Sequence, residues 1–532
     1  MTKKVLIAAI AVFSFASSPA QNYFLDTDYG TNGKTVVGFP SENAEMATMA
    51  IQPDGKVISC GTYTYELPLG ILHDLALARF DTNGQPDLSF GTNGLVTIQI
   101  VNSRADNHNV IKVLDDGKLL ILVNGEGIIN GDYMLVRLNA DGSRDTTFGT
   151  NGTVSIDFGG SEGAWAMQVQ TDGKIVVGGS CSITTQGNDA YDFSIVRLNA
   201  DGSKDVDFGT GGLAKFSFGD GNNFSVFSED SLFDLLLQPD GKIVAAGFSA
   251  VLLEGSKFAL LRLNTDGTPD TDFGNQGRVL TDFTAEDEIA QSIALMPDGK
   301  IMASGTHYYS NDDNQKVIVA KYNTDGSADT NFGTDGKMML EDGNENPRYF
   351  AFSSKVTPDG KLLVCGGGGN HSPNFDGFLV RFNADGTFDT TLGENGWLWA
   401  DFGEWEVTAD MVLQEDGALV MGATTSFGTN RFLVWRYTTP ALAISSQEQT
   451  VFSIAPNPFE DYVNLSFYIT SAQDLSIELM DISGRKIAEV LADAFSVGRH
   501  SVRLNLPEAL PRGTYFLRIN DRKNTTTVKI LK

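Results

Sequence analysis

Apolar residues along most of this chain come in short runs, each ended by Gly, Asp, Asn or Pro. Leu235-Leu236-Leu237 and Ile243-Val244-Ala245-Ala246 flank Pro239-Asp240-Gly241. Two apolar runs around a tight Asp-Gly turn predict a β-hairpin. The hairpin recurs at Asp54-Gly55, Asp116-Gly117, Asp172-Gly173, Asp240-Gly241, Asp298-Gly299, Asp359-Gly360 and Asp416-Gly417, in steps of 62, 56, 68, 58, 61 and 57 residues. A second segment follows each hairpin after a variable loop. Its clearest copy runs from Phe193 through Arg197, Asn199, Asp201-Gly202, Asp205 and Phe208 to Gly212. A further apolar stretch such as Val154–Phe158 completes four short strands per unit.

The ends of the array define its architecture. Asp26-Thr27-Asp28-Tyr29-Gly30 to Gly33 matches the later half of the second segment, and the array stops mid-unit at Arg431–Tyr437. The two fragments complement each other. A ring has a use for such a split, because the N-terminal strand then completes the last sheet; this also limits exposed edges. The expected fold is all-β: a seven-bladed β-propeller over 21–438 closed by its N-terminal strand. An open β-solenoid and a propeller closed without strand exchange are the other arrangements the repeats allow.

Gln238-Pro-Asp-Gly-Lys-Ile-Val244 and Arg-Leu-Asn-Ala-Asp-Gly-Ser at 137–143 and 197–203 carry a resemblance to the bacterial delta-60 repeat family over about 24–438. The seventh copy departs from it, with Ala418 in place of Lys and Thr438 in place of Asn. The resemblance implies a propeller-like repeat on exported proteins and no settled activity.

Both termini carry an address. Lys3 and Lys4 precede the apolar run Val5–Phe15, and Ser18-Pro19-Ala20 predicts signal-peptide cleavage between Ala20 and Gln21. No later run reaches the ~20 apolar residues of a transmembrane helix. Beyond a linker at 439–450, strand-like runs at Val463–Ile469, Leu475–Ile482, Ser501–Leu506, Thr514–Ile519 and Thr526–Leu531 predict a small Ig-like antiparallel β-sandwich over 451–532. Pro456-Asn457-Pro458, Leu479–Gly484–Lys486, Gly513-Thr514-Tyr515 and the terminal Val528-Lys529-Ile-Leu-Lys532 make it resemble the type A C-terminal sorting domain of type IX secretion. That resemblance implies the type IX machinery as partner and release from, or anchoring on, the outer-membrane surface of a Gram-negative bacterium.

The formal charge is −29, which argues against nucleic acid and anionic lipid as partners. Cys60, Cys181 and Cys365 make no disulfide framework and read as buried strand residues.

The chemistry is sparse. The repeating basic residue (Arg79, Arg137, Arg197, Arg262, Lys321, Arg381, Arg436) and the repeating Asp (Asp87, Asp145, Asp205, Asp270, Asp329, Asp389, with Asp26) predict pairing within each blade. Asn139, Asp141 and Asp145 also form a candidate calcium site of hard oxygen ligands, without EF-hand spacing; no other cofactor is expected. None of the five histidines lies in a metalloprotease motif and no G-x-S-x-G elbow is present. Between hairpin and basic strand, loops on one face carry Tyr63, Tyr65, His307, Tyr308, Tyr309, His371 and Phe375, candidates for stacking on a sugar or peptide. The expected function is non-catalytic binding of an unidentified glycan, matrix or protein partner, secreted or at the cell surface. A polysaccharide-active hydrolase or lyase and a structural surface-layer protein are the rivals.

Overall fold

The computed structural model describes residues 23–532 except 40–42, 68–69, 101–108, 127–130, 158–159, 161, 186–187, 219–227, 252–254, 285, 310–313, 341–346, 370–374, 427, 439–452, 456–458, 460, 470–472, 482–484, 496–497, 508–509 and 521–524. The signal-peptide junction Ala20-Gln21, His371, Pro456-Asn457-Pro458 and Gly484 therefore lie outside the described residues. The chain divides into two compact units, 1–440 and 441–532.

In the first unit, the repeats are antiparallel blades of four strands, and the seventh carries a fifth short strand. The blades' first strands are Asn43–Ile51, Val110–Val113, Glu162–Val169, Ser228–Leu237, Asp287–Leu295, Tyr349–Val356 and Trp405–Leu413. Each packs against the next, and the last packs against the first, so they form a closed inner ring. Blades 3 and 4 also share one parallel bridge, Tyr191 to Glu229.

The strand exchange is present. In blade 7 the third strand, Asn430–Thr438, pairs with Lys34–Val37 and with Phe24–Leu25 from the N-terminus. The hairpin that delivers Lys34–Val37 turns at Asn32-Gly33, with φ of 53° and 88°. Asn93-Gly94, Asn151-Gly152 and Asn395-Gly396 repeat this left-handed pair. Two successive positive φ values are what a type I′ turn needs, and Asn-Gly supplies them with least strain.

The repeating ions staple blades to their neighbours. Arg197 Nε lies 2.7 Å from Asp205 Oδ2, Lys174 Nζ lies 2.9 Å from the same oxygen, and the guanidinium sits 4.6 Å from the Phe208 ring centroid. Arg197 Nη1 donates to the Thr265 carbonyl of the next blade. Asp205 is held below the usual carboxylate range by its hydrogen bonds to Lys174 and Arg197, against the opposing effect of burial. In blade 7 the partner of Arg436 is Asp26, at 2.7 Å across 410 residues, with Tyr29 in place of Phe. Arg436 Nη1 then reaches the Thr82 carbonyl of blade 1 at 3.1 Å and closes the circle.

The second unit is a β-sandwich. Ser453–Ala455, Tyr462–Ile469 and Gly498–Asn505 form one sheet; Lys486–Phe495, Gln473–Met480, Thr514–Asn520 and Thr525–Leu531 form the other. Phe459, Val463, Leu465, Ile477, Leu517 and Ile530 are among its core residues. Lys486–Phe495 was not expected as a strand; most of its residues are exposed or half-buried, so its pattern lacks the apolar alternation of the others. Of the sorting-motif residues, Gly513 exchanges backbone hydrogen bonds with Lys532 at 3.0 and 3.2 Å. Tyr515 donates to the Pro511 carbonyl at 2.7 Å, and Lys529 stands in the last strand, opposite Phe516.

Candidate functional site: the central channel

The inner ring encloses a cavity of about 730 Å³ to which the first strand of every blade contributes. What faces it is set by a β-bulge repeated in six first strands. Pairing with the second strand slips between Met46 and Thr48, Ala164 and Ala166, Leu232 and Asp234, Ala290 and Ser292, Ala351 and Ser353, and Thr408 and Asp410. The skipped residues, Ala47, Trp165, Phe233, Gln291, Phe352 and Ala409, all line the cavity. A bulge re-aims its extra residue and bends the strand.

In five of the six bulged blades a glycine in the second strand makes room for this; blade 7 has Ala423 opposite Thr408. A Cβ on Gly305 would stand 1.8 Å from the Ile289 carbonyl oxygen, and one on Gly366 1.8 Å from that of Phe350. Blade 2 has Val123 at this slot and no bulge in its register.

Two kinds of side chain dominate the cavity. The first is aromatic: Trp165, Phe233, Tyr308, Phe352 and Trp405. Trp165 and Phe233 rings lie 5.5 Å apart. A second series runs Tyr308, Phe350, Phe375, Trp405 at 6.1, 5.8 and 6.5 Å, on the face where first strands begin. Phe352 and Trp405 remain 38% exposed, which leaves ring faces free to receive a ligand.

The second kind is charged. Asp410 accepts from Met49 N at 3.0 Å, Thr48 Oγ1 at 3.1 Å and Ser353 Oγ at 2.7 Å, tying blades 1, 6 and 7 together. Asp234 accepts from Ile293 N at 2.9 Å and joins blades 4 and 5. Burial raises the Asp234 carboxyl. Lys112 and Lys355 also line the cavity.

The expected aromatic platform is distributed differently. Tyr308 lines the cavity, and Phe375 joins the rim series. Tyr63 and Tyr65 do not lie on a loop: they belong to the strand Val57–Leu67, opposite Asp74 and Leu72. Tyr63 is buried against Phe39 and Tyr65 at 5.9 and 5.5 Å. His307 and Tyr308 are likewise strand residues; period-2 alternation sends Tyr308 to the cavity and His307 into the interior. His307 Nε2 pairs with Thr284 Oγ1 at 2.7 Å, and Tyr309 packs 4.3 Å from the imidazole. Burial lowers the His307 pKa.

Asn139, Asp141 and Asp145 are engaged in turn and staple. Asp145 lies 2.8 Å from Arg137 Nε and 3.0 Å from Lys118 Nζ, Asp141 accepts from Ser143 N at 2.9 Å, and Asn139 Nδ2 donates to Ser143 Oγ at 3.0 Å. Two cations already neutralise the carboxylate that calcium would need. Among the described residues, cation-site spacing occurs instead at Asp376, Asp401 and Glu406, with carboxylate oxygens within 4.8 Å of one another. Burial and mutual repulsion raise Asp376 and Glu406. Asp376 stands five residues before Arg381, as Asp74 and Asp192 stand before Arg79 and Arg197; that recurrence was the available signal.

Two family models match the chain. One, described as a domain of unknown function (DUF5122) beta-propeller, matches residues 52–90, 114–148, 170–208, 238–273, 297–332 and 357–392. The other, the secretion system C-terminal sorting domain, matches residues 453–532. The chain carries DUF5122 beta-propeller repeats and a type IX sorting domain. The seventh hairpin of the DUF5122 propeller, at Asp416-Gly417, falls outside the matches. The strands that complete it come from the N-terminus. The sorting domain implies the type IX machinery as partner and a secreted or cell-surface location.

A search of curated proteins found no match. Among solved structures, a virginiamycin B lyase from Staphylococcus aureus is 9% identical over 76% of this chain and 98% of its own, TM-score 0.41. The polysaccharide lyase Uly1 is 12% identical over 80% and 94%, TM-score 0.42. PorZ, a surface component of the type IX secretion system of Porphyromonas gingivalis, is 11% identical over 92% and 70%, TM-score 0.30. All three are likenesses of fold.

Proposed function

We propose that the DUF5122 propeller is a non-catalytic binding module that takes a saccharide into its central channel, at the outer-membrane surface or after release. The observation that carries this reading is the convergence of Trp165, Phe233, Tyr308, Phe352 and Trp405 from five first- and second-strand positions on one cavity. Ring faces offer apolar contact to the C–H face of a sugar, and the Gln291 amide and Thr48 hydroxyl, which also line the cavity, offer hydrogen bonds. The non-catalytic part is supported by the use of Asp234 and Asp410 as clamps between strands, each occupied by backbone N–H donors.

The test is a glycan array with the secreted protein, with calcium and with EDTA, followed by titration of the best ligand. Trp405→Ala is expected to weaken binding about threefold to tenfold, from the loss of one aromatic contact, with an unchanged melting temperature. Binding unaffected by both Trp405→Ala and Phe352→Ala would overturn the channel as the site. Turnover of the bound saccharide would overturn the non-catalytic reading.

A further inference from the structure

Five charged side chains line the channel: Glu45, Lys112, Asp234, Lys355 and Asp410. Four are engaged. Glu45 accepts from Asn430 Nδ2 at 2.7 Å, Asp234 from Ile293 N at 2.9 Å, and Asp410 from Met49 N at 3.0 Å. Lys355 Nζ lies 3.5 Å from Ser353 Oγ and 3.8 Å from Asp410 Oδ1. The Lys112 ammonium has neither a hydrogen bond nor an ion pair to any described residue.

Lys112 and Lys355 hold equivalent positions, and only Lys355 finds partners. Lys112 occupies the next-to-last place of its first strand, opposite Leu120, and Lys355 occupies the same place in blade 6, opposite Leu363. Burial and the like charge of Lys355 hold the Lys112 ammonium below the ordinary lysine range, and Asp234 and Asp410 offset this in part. Lys112 is half-buried in the channel wall, and a partly desolvated cation without a partner is costly. An anionic group on a ligand would supply the missing partner through a charge-assisted hydrogen bond.

We infer that the channel selects acidic saccharides, with a sugar carboxylate or sulfate seated at Lys112 while the ring packs on the aromatic wall. This rests on the channel-binding reading above and narrows its ligand. The chain's formal charge of −29 opposes a long polyanion laid across the surface. That repulsion is screened over ~8 Å at physiological ionic strength. A short acidic oligosaccharide, or the acidic end of a chain, therefore fits the channel best.

The full secreted protein is titrated by calorimetry with a galacturonate tetrasaccharide, a chondroitin sulfate tetrasaccharide and a neutral galactose tetrasaccharide. The acidic ligands are expected to bind at least about tenfold tighter than the neutral one, the effect of one charge-assisted hydrogen bond. The galacturonate and sulfate arms separate carboxylate from sulfate recognition. Lys112→Met should abolish that preference and leave neutral binding intact, and Lys112→Arg should restore part of it. Binding of an acidic ligand should also draw a proton onto Lys112, read as a binding enthalpy that varies with the buffer's ionisation enthalpy at alkaline pH.

Equal affinity for acidic and neutral ligands would overturn the inference and leave channel binding standing. Equal loss of both in Lys112→Met would do the same, by making the residue structural. Binding of none of the three, together with capture of a short peptide with a free but not an amidated C-terminus, would overturn the saccharide reading itself.

Discussion

Glu288 is expected to make the propeller less stable as pH rises from about 5 to 8, and Glu288→Gln to remove much of that loss. The carboxyl is fully buried in the first strand of blade 5. Its Oε1 accepts from Thr284 N at 3.0 Å and Thr284 Oγ1 at 3.2 Å, while Oε2 has no partner among the described residues. Burial pushes its pKa up to about 7 from 4.5. A raised folded-state pKa means the folded protein holds the proton more tightly than the unfolded chain does. The stabilisation is full below the unfolded value and is lost as pH climbs through the folded one. At about 1.4 kcal/mol per pKa unit, the loss is about 3 kcal/mol. His307, 3.7 Å away, acts in the other direction. Burial depresses its pKa, so its contribution falls away as pH drops below its unfolded value. The pair is therefore best tolerated near neutrality's acid side, with both groups uncharged. Glutamine keeps the acceptor that Thr284 uses and cannot ionise, but places an N–H where Oε2 stood, at a cost of about 1–3 kcal/mol. The assay is urea denaturation of wild type and Glu288→Gln at pH 5 and pH 8. Asp192, raised to about 6, leaves a slope in both proteins, so the difference between them isolates Glu288. Parallel pH dependences would refute the reasoning.

Two further outcomes follow from the fold. Deleting 23–39 removes the strand Lys34–Val37, the Asp26 partner of Arg436 and the buried rings of Tyr23, Tyr29 and Phe39; at about 1.5–3 kcal/mol per buried ring, calorimetry should show a melt lowered by about 5–10 °C, and an unchanged melt would mean that the N-terminal strand does not hold the ring. Gly305→Ala should destabilise by about 3 kcal/mol through overpacking against the Ile289 carbonyl, whereas Gly428→Ala, with open space around its Cβ, should cost only the strain of its positive φ; equal urea midpoints for the two would contradict the role assigned to the bulge.

The blades were legible because their signals are local. Arg and Asp of a staple stand eight residues apart, as in Arg79–Asp87, and the Asp-Gly and Asn-Gly turns carry their geometry in two residues. Ring closure was legible because Asp26-Thr-Asp-Tyr29 is a fragment of the same text. The channel was not. Its lining is gathered from the first strands of all seven blades, with Tyr308 and Thr424 from second strands, and the bulges shift the side-chain alternation mid-strand, so Trp165 and Phe233 read as ordinary strand residues. Tyr63 and His307 drew attention as loop aromatics, but the second and third strands run longer than expected and take both inward. One overlooked signal was Lys112 and Lys355, each four residues before a turn Asp, where other units have Ala50, Gln168, Leu236, Ala294 or Val412.

The pairing of Lys34–Val37 with Asn430–Thr438 also sets a schedule. The first strand to be made is the last to find its place, since Asp26 must wait for Arg436, 410 residues later. Local hairpins can form as the chain emerges, but the circle stays an open arc until blade 7 has arrived. For an exported protein, a shut ring thus certifies that all seven blades have arrived. A chain arrested early would keep an unpaired strand edge and remain open to the proteases that meet it outside.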